Sequence, residues 1–212
     1  MKLSKKSLSF VVTLLVISTL PIIALSEQAA TGPRETIEAA DRQIRDLLSK
    51  TLPEGSPAAK TRDDQLRQVV TNLLDIETMS KNALGRSWDE RTPQERQEYL
   101  TLMGQLVERS YLKQARNRTE YEISFEEIEI KGSNANVVTN LRFKTRGRVE
   151  TIEVAYDLTK SGNTWRVVDI LTDGSSTVRG YQTNFRRIIT KNGFEDLMTR
   201  LRGRIADGGT DL

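Results

Sequence analysis

The sequence predicts a single α+β domain: a curved antiparallel four-stranded meander packed against N- and C-terminal helices, with room for an apolar cavity between them. Three observations predict it. Apolar residues recur at helical spacing from Pro33 to about Ala115, and again after Gly174. Between Glu120 and Asp173 the period drops to two, with turn residues between the segments. No internal repeat or second domain is visible, so one domain is expected over residues 27–212.

The helical part comes first. Residues 27–33 are small and polar and read as a loose start. Pro33 suits a first helical turn, and Ile37, Ala40, Ile44, Leu47 and Leu48 follow on one face. Thr51 to Pro57 holds two prolines and a glycine and reads as a connector. A second helix is expected over 61–74, with Leu66, Val69, Val70, Leu73 and Leu74 as its stripe. A short third helix, from Glu77 to Leu84, stops at Gly85. Thr92-Pro93-Gln94-Glu95 is a capping box with proline at the first helical position. The helix it opens carries Tyr99, Leu102, Met103, Leu106, Val107 and Tyr111 on a broad apolar face.

The strands follow. Tyr121, Ile123 and Phe125 share one parity while Ile128 and Ile130 share the other, so a bulge is expected at Glu126-Glu127. Gly132-Ser133-Asn134 turns into a strand with Val137, Thr139, Leu141 and Phe143 on one face. Arg146-Gly147-Arg148 turns into a third with Ile152, Val154, Tyr156 and Leu158, and Ser161-Gly162-Asn163 into a fourth from Trp165 to Leu171. The helical period then returns with Tyr181, Phe185, Ile188 and Ile189. Asn192-Gly193 ends that helix, and Phe194, Leu197, Met198, Leu201 and Ile205 make the last stripe before a polar tail from Ala206.

Composition narrows the function. Lys2, Lys5 and Lys6 precede an apolar run from Leu8 to Ile23 that ends at Ala24-Leu25-Ser26, the layout of a cleaved secretory signal over residues 1–26. The run falls short of the ~20 residues of a spanning helix, and Pro21 interrupts its end. No cysteine stands near the cleavage point for lipoprotein processing. The formal charge is +3, but residues 1–26 hold three lysines and no acid. The remainder is balanced, which gives no support for a nucleic-acid partner. The absence of cysteine excludes disulfides and thiol chemistry, and the absence of histidine removes the usual general base and commonest metal ligand.

No phosphate loop, dinucleotide fingerprint or metal-ligand cluster appears in the sequence, so no cofactor is expected. The segment Thr172 to Ser176 reads as a strand-to-helix turn with Ser or Asp capping the next helix, or as a small anion-binding loop. Glu126, Glu127 and Glu129 read as a solvated sheet face. Arg142, Lys144, Arg146 and Arg148, with Arg186 and Arg187 on a later helix, fit either headgroups and acidic partners or plain solubility. A cone-like sheet can also house an acid–base enzyme, with Asp169, Asp157 or Tyr156 as actors, and a purely protein-binding adaptor is a third reading.

The segment from Ala83 to Arg96, ALGRSWDERTPQER, resembles the MlaC family of periplasmic phospholipid-binding proteins, also called toluene-tolerance auxiliary proteins. A second block is similar to that family's ending: Trp165, Asp169, Gly174, Ser176, Tyr181, Phe185, Gly193 and Leu201. Gly174-Ser175-Ser176 departs from the family's usual Gly-Val-Ser turn. The resemblance implies a nuclear-transport-factor-like or cystatin-like sheet backed by helices, and a pocket that buries phospholipid acyl chains. It implies a periplasmic, non-enzymatic carrier, with an outer-membrane lipoprotein–porin complex and an inner-membrane ABC transporter bearing an MCE-domain protein as partners. A diffusing shuttle of this kind suits a monomer. On that reading the slot lies between sheet and helices. Its candidate walls are Val69, Leu73, Leu84, Trp88, Leu102, Leu106, Phe143, Val154, Tyr156, Trp165, Ile170, Tyr181, Phe185 and Ile188, each of which has plain core as its alternative.

Overall fold

The computed structural model describes residues 32–117, 120–145 and 147–209. The expected signal segment, residues 1–26, and Arg146 lie outside the described residues.

Helix α1 spans Pro33–Leu48, α2 Pro57–Leu73, α3 Ile76–Leu84 and α4 Pro93–Asn117. Local chemistry sets these ends. The α2 helix begins earlier than its apolar stripe, because the Ser56 hydroxyl accepts from the amide of Ala59 and Pro57 occupies the first turn. Asp75 caps α3 through the amide of Thr78 at 3.0 Å. The capping box of α4 is reciprocal: Thr92 N–H donates to Glu95 at 2.7 Å, and Glu95 N–H donates to the Thr92 hydroxyl at 3.2 Å.

A 3₁₀ turn, Gly85–Trp88, joins α3 towards α4 and was not legible as periodicity. Gly85 has φ +58°, and a Cβ there would come within 3.0 Å of Gln182 Nε2. Arg96 clasps the turn by donating to the carbonyls of Trp88 and Asp89, while its guanidinium lies 5.1 Å over the Trp88 ring.

Strands β1 (Tyr121–Lys131), β2 (Asn134–Thr145), β3 (Arg148–Ser161) and β4 (Thr164–Thr172) form the expected antiparallel meander. A two-residue strand β5, Ser175–Ser176, adds a fifth at the edge, where Asp173-Gly174 folds the chain back on β4. The sheet stays open, with order β1-β2-β3-β4-β5 among the described residues. The register slips between Phe125 and Glu127, which places the bulge where the parity change predicted it. A second slip skips Val168: Asp157 pairs Asp169, but Leu158 pairs Val167. Both irregularities bend the sheet.

Helices α5 (Thr177–Asn192) and α6 (Phe194–Ala206) close the fold. Helices α1, α2, α3 and α5 make the main helical contacts with the sheet; α4 packs on α2 and α3 and reaches the sheet side through Tyr111, and α6 packs on α4 and α5. Leu66, Tyr99, Leu106, Phe185, Leu197 and Leu201 are fully buried in the core. Edge-to-face contacts link Trp88 to Tyr99 and Tyr99 to Phe185 at 6.5 and 6.2 Å between centroids. The Tyr99 hydroxyl donates to the Ser80 carbonyl at 2.8 Å. Among the described residues, no helix is long and apolar enough to cross a membrane.

Candidate functional site

The inward residues of β2, β3 and β4 build the floor of an apolar cavity. Alternation brings Leu141 and Phe143, then Ile152, Val154 and Tyr156, to one face. The slip at Val168 restores Ile170 and Thr172 to the same face after Trp165 and Val167 have packed into the core. Ile44 of α1, Val70, Leu73 and Leu74 at the end of α2, Tyr111 of α4 and Tyr121 of β1 complete the walls. The cavity measures about 170 Å³.

The end of α2 is pinned to the sheet and so fixes one wall. Asp75 N–H donates to the Val167 carbonyl at 2.8 Å. Arg166 donates to the carbonyls of Thr71 and Leu74, which the helix end would otherwise leave unpaired.

Polar groups at the cavity are few and neutralised. Burial pushes the Tyr156 hydroxyl up to about 12. Burial likewise raises Tyr111 and Tyr121, and in Tyr121 the hydrogen bond to Asp41 adds to the shift. The Tyr121 hydroxyl donates to the Asp41 carboxylate, a buried group on α1. Arg45 answers that charge at 2.6 Å and lies 5.6 Å over the Tyr121 ring. These three residues tie α1 to β1 beside the cavity.

A second, open recess of about 540 Å³ adjoins the first. It shares Tyr121 and Phe143 with the apolar cavity, and its other walls are Glu120, Glu122, Arg142, Lys144 and Val149. The two together offer an apolar interior next to a charged, solvent-facing vestibule.

Of the fourteen side chains singled out from sequence, Leu73, Phe143, Val154, Tyr156 and Ile170 surround the cavity. Leu84, Trp88, Leu106, Trp165 and Phe185 are buried in the main core, with Leu102, Tyr181 and Ile188 packed against it. Val69 is half-buried on α2, next to the lining Val70. Sequence reasoning missed Ile44, Val70, Leu74, Tyr111, Tyr121, Leu141, Ile152 and Thr172. Strand parity carried the signal for two of these, since Leu141 stands two before Phe143 and Ile152 two before Val154. Tyr121 required the pairing Tyr121–Phe143, which no local pattern contains.

The carboxylates nearest an enzyme-like reading are committed to structure. Asp169 accepts from the amides of Ile170 and Val178 and from the Ser176 hydroxyl, while Ser176 accepts from Arg179 and caps α5. Asp157 accepts from Asn136 Nδ2 at 2.7 Å. Among the described residues no cluster of carboxylates is arranged to hold a metal ion. What the arrangement can do chemically is shelter apolar matter beside a polar entrance.

Three comparisons bear on identity. The family model described as MlaC protein matches residues 38–203. The intermembrane phospholipid transport system binding protein MlaC of Haemophilus influenzae is 22% identical over 167 residues, covering 76% of this chain and 78% of that protein. The solved structure of a phospholipid-binding protein from Ralstonia solanacearum, in complex with a phospholipid, superposes with a TM-score of 0.66. It is 22% identical, and the match covers 85% of this chain and 98% of that one. That likeness establishes the shared fold. With the family pattern matched across most of the sequence, from α1 through α6, the chain belongs to the MlaC family.

Proposed function

We propose that this chain is a periplasmic phospholipid carrier, delivered by the signal segment over residues 1–26 and working without a catalytic step or cofactor. The observation that carries this reading is the apolar cavity sharing Tyr121 and Phe143 with a charged, open recess. An amphiphile has that same division. Acyl chains lie against Leu73, Val154 and Ile170, and the headgroup stays in the vestibule beside Arg142 and Lys144.

The physical need is large. Exposing a methylene to water costs ~0.8 kcal/mol, so a chain of about sixteen carbons costs on the order of 12 kcal/mol. Phospholipids therefore do not cross an aqueous gap unaided. The cavity of about 170 Å³ is smaller than the ~300–1,000 Å³ of ordinary small-molecule sites. Loading a full chain requires α1 to move away from the sheet, and the Tyr121–Asp41–Arg45 tie is the contact that yields. The partners proposed for loading and unloading are an outer-membrane lipoprotein–porin complex and an inner-membrane ABC transporter with an MCE-domain protein.

The test is direct. The protein is purified from the periplasm, extracted with organic solvent and analysed by mass spectrometry. A stoichiometric phospholipid is expected. Protein that leaves the periplasm without phospholipid, and takes none up from labelled vesicles, overturns the proposal.

A further inference from the structure

A groove between α5 and α6 lies outside the apolar cavity and takes no part in the reading above. It measures about 500 Å³. Arg187 and Lys191 line it from α5, and Arg200 and Arg204 from α6. Each pair is spaced four residues apart, so each helix presents a column of cations to the same space. One carboxylate, Asp207, stands in the wall, and half-buried Ile188 supplies an apolar patch at the floor.

The pairing pattern sets these cations apart. On the same helix, Arg202 is held by Glu98 and Glu195 at 2.7 Å each, and Arg200 is held by Asp196 at 2.8 Å. Arg187, Lys191 and Arg204 have no ion-pair partner among the described residues. Lys191 and Arg204 sit in the last turns of their helices and offset the negative helix ends. That does not account for Arg187, which precedes the last turn of α5. Beyond residue 26 the chain has equal numbers of acids and bases, so this imbalance is local.

We propose that the α5–α6 groove docks an acidic, extended segment of a protein partner. The segment's carboxylates lie between the two cation columns, and one of its apolar side chains rests on Ile188. Shape argues for a chain segment rather than a bilayer: the cations line a concavity, and a flat lipid surface does not reach its floor. Exposure argues against a small anion. All four cations are exposed on long stems; Arg200 is held only by Asp196 and Arg187 only by Asn184, at 2.8 and 3.2 Å on the surface, so the array is not fixed around a compact ligand. A partner segment brings several carboxylates at once and is steered to the groove by its field.

The test uses the full mature protein and a short fluorescein-labelled oligoglutamate peptide with one central leucine. Anisotropy titrations compare the unaltered protein with R187E/R204E, the milder R187Q/R204Q, and R42E/K50E, at exposed positions on α1 and just beyond its end, as a charge-matched control. The expected result is salt-sensitive binding, weakened about tenfold or more by R187E/R204E, less by R187Q/R204Q, and unchanged by R42E/K50E. Co-purified phospholipid is measured in every variant and stays at the unaltered level, which separates this groove from the cavity. Equal weakening in R42E/K50E, absence of peptide binding, or loss of phospholipid together with peptide binding overturns the assignment. So does retention on phosphatidylethanolamine–phosphatidylglycerol vesicles, released by R187E/R204E, without peptide binding.

Discussion

Replacing Val154 by phenylalanine puts the cavity reading to a test with two readouts of opposite sign. Val154 is buried in mid-wall, opposite Thr139 on β2 and Thr172 on β4. The cavity of about 170 Å³, divided by the ~30 Å³ that a water-sized unit occupies in a liquid, holds roughly five or six methylene-sized units. At ~0.8 kcal/mol per buried methylene these are worth ~4–5 kcal/mol to an acyl chain. Phenylalanine adds roughly four carbon-sized units, so it removes ~3 kcal/mol of that burial, about a hundredfold in affinity. The same ring fills volume that protein atoms leave open, and lipid-free V154F should be as stable as the unaltered protein or up to ~1 kcal/mol more stable. Extracted phospholipid per folded protein and the thermal midpoint of delipidated protein are the two measurements. The control L201A, in the fully buried core and not among the cavity walls, should lose ~2–5 kcal/mol of stability and keep its lipid per folded molecule. If V154F carries the full phospholipid load at a raised midpoint, acyl chains do not lie against β3 and the reasoning fails.

Four further outcomes follow from the contacts described. Asp169→Ala removes three hydrogen bonds at the β4–α5 junction and should cost ~2–4 kcal/mol in urea unfolding, with D169N recovering part. Tyr99→Phe removes the buried hydrogen bond that the hydroxyl donates to the Ser80 carbonyl, which keeps its helical partner within α3, and should cost ~1 kcal/mol, read as a lower thermal midpoint with lipid load intact. Burial raises Tyr99, Tyr111, Tyr121 and Tyr156 above the ordinary tyrosine value of 10.0. The folded state therefore keeps protons that the unfolded state releases, and stability falls as pH rises above 10.0, by up to ~1.4 kcal/mol per pH unit for each such group; tyrosinate absorbance that appears well before unfolding would count against it. Tyr121→Phe removes the donor to Asp41 that ties α1 to β1 and should speed phospholipid transfer to acceptor vesicles by about tenfold, whereas an unchanged rate removes α1 from the loading step.

Secondary structure was largely legible because it is local. The capping box at Thr92, the parity change around Glu126 and the glycine-bearing turns at Gly132 and Gly162 each act within a few residues. Two features escaped for the same reason in reverse. The fifth strand exists because Asp169 gathers Ser176 and Val178 across a turn, and the second bulge exists because β4 must satisfy both β3 and the end of α2. The cavity was half-legible. Its strand residues share a parity that a sequence displays, and Val154, Tyr156 and Phe143 follow from it. Its helical wall does not: Ile44 and Val70 look the same as Ile37 and Leu66, which fill the core. An amphipathic stripe fixes which side of a helix faces inward, not whether the opposing surface touches it.

That gap between facing and touching is also what a carrier requires. The cavity as it stands accounts for roughly a third of the burial a full acyl chain needs, ~4–5 of ~12 kcal/mol. On the proposed reading the rest comes as α1 separates from the sheet, which would break the Tyr121–Asp41–Arg45 tie and the Arg34 contact over Phe125. The cost of breaking those contacts offsets part of the gain from burying methylenes. The proposed lipid is therefore held by a difference between two large terms, and its net affinity stays close to that of a bilayer. A rigid, fully formed slot of the same lining would bind far more tightly and release nothing. The same balance explains the character of the walls. Aliphatic side chains and neutral tyrosines reward any apolar chain and demand no particular geometry. The charges that would meet a headgroup stand outside, at Arg142 and Lys144 in the open recess.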